Sequence, residues 1–174
     1  MKTLLLLRHA KSSWTEVGRS DHDRSLNGRG EKAAPVMGRF LQKNGLIPDL
    51  ILCSTAQRAV QTLSLLGRDF ARKANVVYNE DLYMADDRTL RDCLRQSPDE
   101  AATVLMIGHN PGLEDFAARL AGDGSNADRQ AEMARKYPTA ALAGFEFEID
   151  QWRDIGWGQG RLTRFVRVRD LQES

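Results

Sequence analysis

The chain has 174 residues, 41% of them hydrophobic, and balances 25 basic against 24 acidic side chains for a formal net charge of +1. That length and apolar share are enough for one buried core, so a single domain spanning 1–174 is expected. The charge balance argues against global steering toward nucleic acid. Two widely separated cysteines, Cys53 and Cys93, argue against a disulfide framework.

The first element is Leu4-Leu5-Leu6-Leu7, followed at once by Arg8, His9 and Ala10. Four leucines in a row do not alternate, so they read as a strand covered on both faces, as in a parallel sheet between helix layers. The leucine run is too short for a secretory signal core or a membrane span, and a cytoplasmic protein with no membrane partner is expected. Residues 11–27 are polar, with Trp14 and the cluster Asp21, His22, Asp23 and Arg24. Connections this long in small domains are often functional. A helix follows Gly28 and Gly30, with Val36, Met37, Phe40 and Leu41 on its inner face and Asn44-Gly45 at its end.

Residues 50–53 form a second apolar strand that runs into Ser54, Thr55 and Arg58. Ser54 or Thr55 is the expected N-cap of a helix reaching about Arg72, with Ala59, Leu63, Leu66 and Phe70 buried. Residues 76–78 make a third strand, left through Asn79, Glu80 and Asp81, and Leu90, Cys93 and Leu94 mark a further helix. Residues 103–107 repeat the opening pattern and end in Gly108-His109-Asn110. Asn110 can cap the next helix, with Pro111 in its first position. The polar stretch 122–138 fits either a short helix or a mobile cover of the pocket. Residues 143–149 alternate Phe145, Phe147 and Ile149 against Glu146 and Glu148, a strand with one wet face, and 162–168 closes the sheet as an edge strand.

Two histidines and two arginines are thus carried just beyond the ends of buried strands, where open α/β sheets bind ligands. Guanidiniums suit a phosphoryl group, which they hold and neutralise through paired hydrogen bonds. A neutral imidazole can attack phosphorus. One histidine as nucleophile, with Arg8, Arg58 and the other histidine on the phosphoryl oxygens, makes a phosphoryl-transfer site. Glu80 and Asp81 are the carboxyl groups placed by position to protonate a leaving group. For each of these residues the bland alternative is a structural histidine or a surface ion pair. A zinc site from His9, His109 and Cys53 fits poorly, because the arginines would repel the cation and Cys53 belongs to a buried strand.

The four pieces Arg8-His9, Leu26-Asn27-x-x-Gly30, Ser54-x-x-x-Arg58-x-x-x-Thr62 and Gly108-His109, in that order, resemble the histidine phosphatase superfamily, the phosphoglycerate mutase-like group. The small size, Asn110-Pro111-Gly112 and Tyr137-Pro138-Thr139 resemble its short phosphohistidine phosphatase (SixA-like) branch. The resemblance implies a three-layer α/β/α fold, with a mostly parallel sheet and an antiparallel edge strand. It implies His9 as the phosphorylated nucleophile, with Arg8, Arg58 and His109 completing the phosphate pocket, and turnover with no metal and no cofactor. Asn79-Glu80-x-x-Tyr83 is similar to the segment that carries the acid in mutase relatives, so Glu80 is the expected proton donor. Two departures are Ala10, where the motif usually has glycine, and Lys11, where mutases tend to carry an acid.

The expected activity is hydrolysis of a protein phosphohistidine or a small phosphomonoester, with a phosphorylated histidine-containing protein or a small ester as partner. A phosphoglycerate-type mutase and a non-catalytic phosphate-binding module are the alternatives. Oligomeric state is open, because the edge strand 162–168 is rich in arginine and could pair or be guarded.

Overall fold

The computed structural model describes residues 1–172. A six-stranded sheet holds β1 (Lys2–Arg8), β2 (Leu50–Ser54), β3 (Asn75–Asn79), β4 (Thr103–Gly108), β5 (Leu142–Phe147) and β6 (Arg161–Val166), in the order β3-β2-β4-β1-β5-β6. The first four strands in that order are parallel. β5 runs antiparallel to β1, and β6, antiparallel to β5, forms the edge.

The leucine run explains the layering. Leu5 and Leu7 pack with Met37 and Leu41 of α1 (Gly28–Lys43) and Ala59 and Leu63 of α2 (Gln57–Leu65). On the opposite face Leu4 and Leu6 pack with Leu90 and Leu94 of α3 (Asp87–Arg95) and Leu113 and Phe116 of α4 (Gly112–Leu120). Each fully buried leucine contributes roughly 2 kcal/mol of transfer free energy. Burial on alternating sides therefore fixes the register of β1, since a one-residue slip would exchange the two faces. The short helix α5 (Ala127–Arg135) packs on β6 and anchors Met133, and α6 (Val168–Gln172) packs on α1. No helix among the described residues is long and apolar enough to cross a membrane.

Three local expectations change. The helix after β2 begins at Gln57 with no side-chain cap, because both candidate caps are engaged elsewhere: Ser54 with His109 and Thr55 with His22. It also stops at Leu65, short of Arg72, and Gly67 follows at φ +137°; Phe70 is still buried, outside the helix. Asn110 does not cap α4. The Asn110–Pro111 bond is cis, the helix starts at Gly112, and the Asn110 amide donates to the Tyr137 carbonyl at 3.0 Å. Strand β5 ends at Phe147 and has little wet face: Leu142 and Gly144 are buried, and only Glu146 reaches water, paired with Arg161.

Candidate active site

Register builds the site. Arg8 pairs with Gly108 across β1 and β4, and the His9 amide extends that ladder to the Gly108 carbonyl at 3.1 Å. The next residue on each strand is a histidine, so His9 and His109 stand side by side, ring centroids 5.1 Å apart. Cys53 pairs with Ile107 between β2 and β4, which brings Ser54 beside His109 at 2.7 Å. Four residues after Ser54, Arg58 enters from the first turn of α2, 2% exposed. The four residues Arg8, His9, Arg58 and His109 thus meet at the carboxyl ends of three neighbouring parallel strands.

The hydrogen bonds assign the imidazole protons. Nδ1 of His9 lies 2.7 Å from the Ala10 carbonyl oxygen, which only accepts, so Nδ1 donates and Nε2 carries the lone pair. The Ser54 hydroxyl oxygen accepts from the Ala56 amide, leaving its proton to donate to Nε2 of His109. Nδ1 of His109 then bears hydrogen, is buried and has no partner, as are Nε of Arg8 and Nε of Arg58. Both rings stay neutral at ordinary pH. Burial pushes His9 down to about 3, helped by the Arg58, Arg8 and Arg24 charges. Burial likewise pushes His109 down to about 3, helped by His9, Arg58 and Arg8.

Around this core the polar loop 11–27 supplies a rim. The Asp21 carbonyl accepts from Nη1 of Arg58 at 2.7 Å, and its carboxylate accepts from Nη2 at 3.1 Å, from Nε of Arg24 at 3.0 Å and from the Tyr83 hydroxyl. The Tyr83 hydrogen bond above all, then the Arg58 charge, holds the Asp21 carboxyl down at about 2. Arg24 also donates to Ser12 and stacks 3.5 Å from the Trp14 ring centre. His22 bonds Thr55 at 2.9 Å and meets Tyr83 edge-on. Behind His9, the Ala10 amide donates to Thr62 of α2, whose hydroxyl donates to the Arg58 carbonyl.

The segment 122–138 contributes the opposite wall. Tyr137 is fully buried, with its hydroxyl donating to the Leu6 carbonyl, and its own carbonyl accepts from Nη1 of Arg8 at 3.0 Å. Lys136, Pro138 and Thr139 line a cavity of about 370 Å³ together with Arg8, His9 and Lys11. Loop 11–27 is held to α1 by the Asn27 amide, which donates to the Lys11 carbonyl at 3.0 Å. Only glycine fits at position 30, where a Cβ would lie 2.1 Å from that same carbonyl oxygen.

Residues 4–84 match the model of the Histidine phosphatase superfamily (branch 1). An uncharacterized Mycobacterium leprae protein is 37% identical over 162 residues, covering 91% of this chain and 98% of its own. The candidate phosphohistidine phosphatase SixA of Agrobacterium tumefaciens superposes with TM-score 0.79 at 30% identity, over 95% of this chain and 98% of its own. The chain belongs to the histidine phosphatase superfamily. The corresponding candidate from Nakamurella multipartitia superposes with TM-score 0.83 at 28% identity, over 95% of both chains. The protein histidine phosphatase SixA solved with tungstate shares the fold, at TM-score 0.77 and 20% identity over 97% of this chain and 99% of its own. The superfamily and these SixA neighbours make the chain a phosphatase-type hydrolase of the SixA-like kind.

Among the described residues, no hydrogen bond or ion pair joins Glu80 to the other four. That residue opens a short 3-10 helix (Glu80–Leu82) in which the Asn79 side chain accepts from the Asp81 amide, Leu82 turns into the core, and Glu80 faces water. Its carboxylate has no hydrogen bond or ion pair among the described residues, and the carboxylate that lines the cavity with Arg8 and His9 is that of Asp21. Asp21, Arg24, Ser54 and Tyr83 also stand at this pocket, though sequence reasoning gave them no site role. The signals for them were the Asp21-to-Arg24 charge cluster in an overlong polar loop and the motif positions of Ser54 and Tyr83. Cys53 lies in the core with α1 and α2, its thiol donating to the Ser54 carbonyl and pushed up to about 12 by burial.

Proposed function

We propose that this chain hydrolyses a phosphomonoester or a protein phosphohistidine through a phosphorylated His9. The observation that carries the reading is the fixed tautomer of His9, whose free Nε2 lone pair stands in a pocket with two arginines. Nε2 attacks phosphorus, forming a P–N bond as the bond to the leaving oxygen or nitrogen breaks. Arg8, Arg58 and Nδ1–H of His109 hold the equatorial oxygens, and their three buried unpartnered donors support that role. Water then attacks the phosphoryl-His9, phosphate leaves, and the imidazole is restored. The guanidiniums supply the charge neutralisation, so turnover is expected to survive a chelator.

The leaving group takes a proton as it departs. Asp21 is ionised while Arg58, Arg24 and Tyr83 hold it, but a bound phosphoryl group competes for Arg58. Losing that partner raises the proton affinity of the carboxyl, which assigns donation to Asp21 and leaves Glu80 outside the reaction. A nitrogen leaving group can also take its proton from water.

The test is phosphate release from a phosphohistidine-bearing protein and from a panel of small esters, with His9→Ala as blank and the label on the quenched enzyme checked for acid lability. Release by His9→Ala at the wild-type rate, or no release from either class, would refute the reading.

A further inference from the structure

The sheet ends differently at its two edges. At β6 the open side is closed off: the Leu162 carbonyl accepts from the Asn126 amide, and the Leu162 amide donates to the Ser125 hydroxyl, both at 3.0 Å. The helix α5 packs on the same strand. Arg161 and Arg164 stand along it, and a register shift breaks its ladder with β5 at Gly144 and Phe145. Covering segments, charges and bulges of this kind keep an edge from pairing with another chain.

β3 has none of these devices. It is bonded to β2 and, among the described residues, to no other strand. The Asn75 amide donates to the Asp49 carbonyl at 3.0 Å, so by the two-residue period Asn75, Val77 and Asn79 turn their backbone groups toward β2. Val76 and Tyr78 turn theirs outward, and no loop or side chain among the described residues bonds to them. The strand holds no charge and no proline, and Val77 and Tyr78 are 45% and 53% exposed. Charges stand only beyond its ends: Lys73 before it, Glu80 and Asp81 after it. None of these three makes an ion pair among the described residues.

Such an edge specifies its own partner. Two copies of β3 meet antiparallel only with outward-facing residues opposite one another, so Val76 lies against Val76, Val76 against Tyr78, or Tyr78 against Tyr78. The second register alone sets Lys73 of each copy opposite Asp81 of the other. It places a twofold axis at Val77, lets Val76 and Tyr78 exchange both backbone hydrogen bonds on either side, and pairs an aromatic with a β-branched side chain. We infer that the chain forms a homodimer through β3, with the two sheets joined antiparallel about that axis. The surface is isologous, each copy offering the same patch to the other. The His9 pocket lies at the ends of β1, β2 and β4 and takes no residue from β3, so pairing removes nothing from either site.

The experiment measures mass by light scattering and sedimentation across a concentration series. Wild type is expected to approach the mass of two chains as concentration rises. Val77→Lys sets like charges face to face on the axis and should stay monomeric, with its circular dichroism and its turnover of para-nitrophenyl phosphate unchanged. Lys73→Glu and Asp81→Lys, each alone, make both end pairs repulsive and should weaken self-association by on the order of tenfold. Mixed in equal amounts, these two variants regain attraction at both ends and should form a heterodimer tighter than either homodimer. A folding defect in either chain would not produce that result, so the mixture decides even if Val77→Lys fails to fold. A wild type that stays monomeric throughout, or a dimer that folded Val77→Lys leaves intact, overturns the inference. Mixed variants that associate no more tightly than each does alone overturn it as well.

Discussion

Acid should unfold this protein through its two site histidines, and the size of the effect follows from their burial. His9 and His109 are 7% and 3% exposed and held at about 3, against about 6.5 for a histidine in the unfolded chain. A group whose folded value lies below its unfolded value takes up protons first in the unfolded state. Stability is therefore fully present above about pH 6.5 and falls as the pH drops toward 3. At about pH 5 the unfolded chain gains about 2 kcal/mol from each histidine while the folded state gains almost nothing, so the pair costs about 4 kcal/mol relative to about pH 7.5. Asp21, held down at about 2, contributes its loss only below the ordinary carboxylate value and lies outside this window. Urea unfolding at the two pH values measures the drop. His9→Asn and His109→Asn should each reduce it by about half, and the double variant should nearly remove it. The quantity read is the pH dependence, so a uniform loss of stability in a variant does not disturb the comparison. A drop that stays near 4 kcal/mol in the double variant would refute the assignment of both rings as neutral in the folded protein.

Arg58→Ala should lower kcat/KM on aryl phosphates by on the order of a hundredfold or more, the usual cost of a main electrostatic donor; near-normal turnover would remove Arg58 from the phosphate site. Asp21→Asn should slow poor leaving groups more than activated aryl phosphates, whereas Glu80→Gln should leave both within about twofold. The reverse pattern would return the proton donor to Glu80. Gly30→Ala should cost about 2–3 kcal/mol, because the added carbon must push the Lys11 carbonyl away, and thermal denaturation should show a midpoint lower by roughly 5–10 °C. An unchanged midpoint would mean that the α1 contact yields freely.

The fold was legible where burial is two-sided and continuous. Leu4 to Leu7 and Val104 to Ile107 announced central strands, and two of the catalytic candidates sit on their next residues, so strand identity and site position came together. The boundaries that escaped were those where a cap residue had a second use. Ser54 and Thr55 carry the side chains of an N-cap, yet their hydroxyls serve His109 and His22, which only tertiary structure reveals. Glu80 turns outward for a related reason. Position after a strand end locates a residue near the site, but the turn set by Asn79 decides which way it faces, and here that turn directs Leu82 inward and Glu80 to water. Asp21 showed only as one member of a charge cluster, because a loop residue has no periodicity to reveal its partners, and its contacts with Arg58, Arg24 and Tyr83 come from three separate segments.

A phosphoryl-transfer nucleophile must keep its lone pair in a pocket whose charges exist to hold an anion, and one arrangement here meets both demands. Arg8 and Arg58 would bind oxygens of a phosphoryl group, and their charges, with that of Arg24, join burial in keeping His9 unprotonated. Free protein exposes that positive field, so the carboxylate of Asp21 partly neutralises Arg58 and Arg24 until substrate competes for them. Changing the sign at position 21 should therefore act twice. Asp21→Lys would lower the proton affinity of His109 further, where Asp21 now raises it, and would repel Arg58 from its place. The expected result is a loss of phosphate binding larger than that of Asp21→Asn, read by competition with orthovanadate. Equal losses from both variants would show that the Asp21 charge matters only as a proton source and not as the counter-ion of the empty pocket.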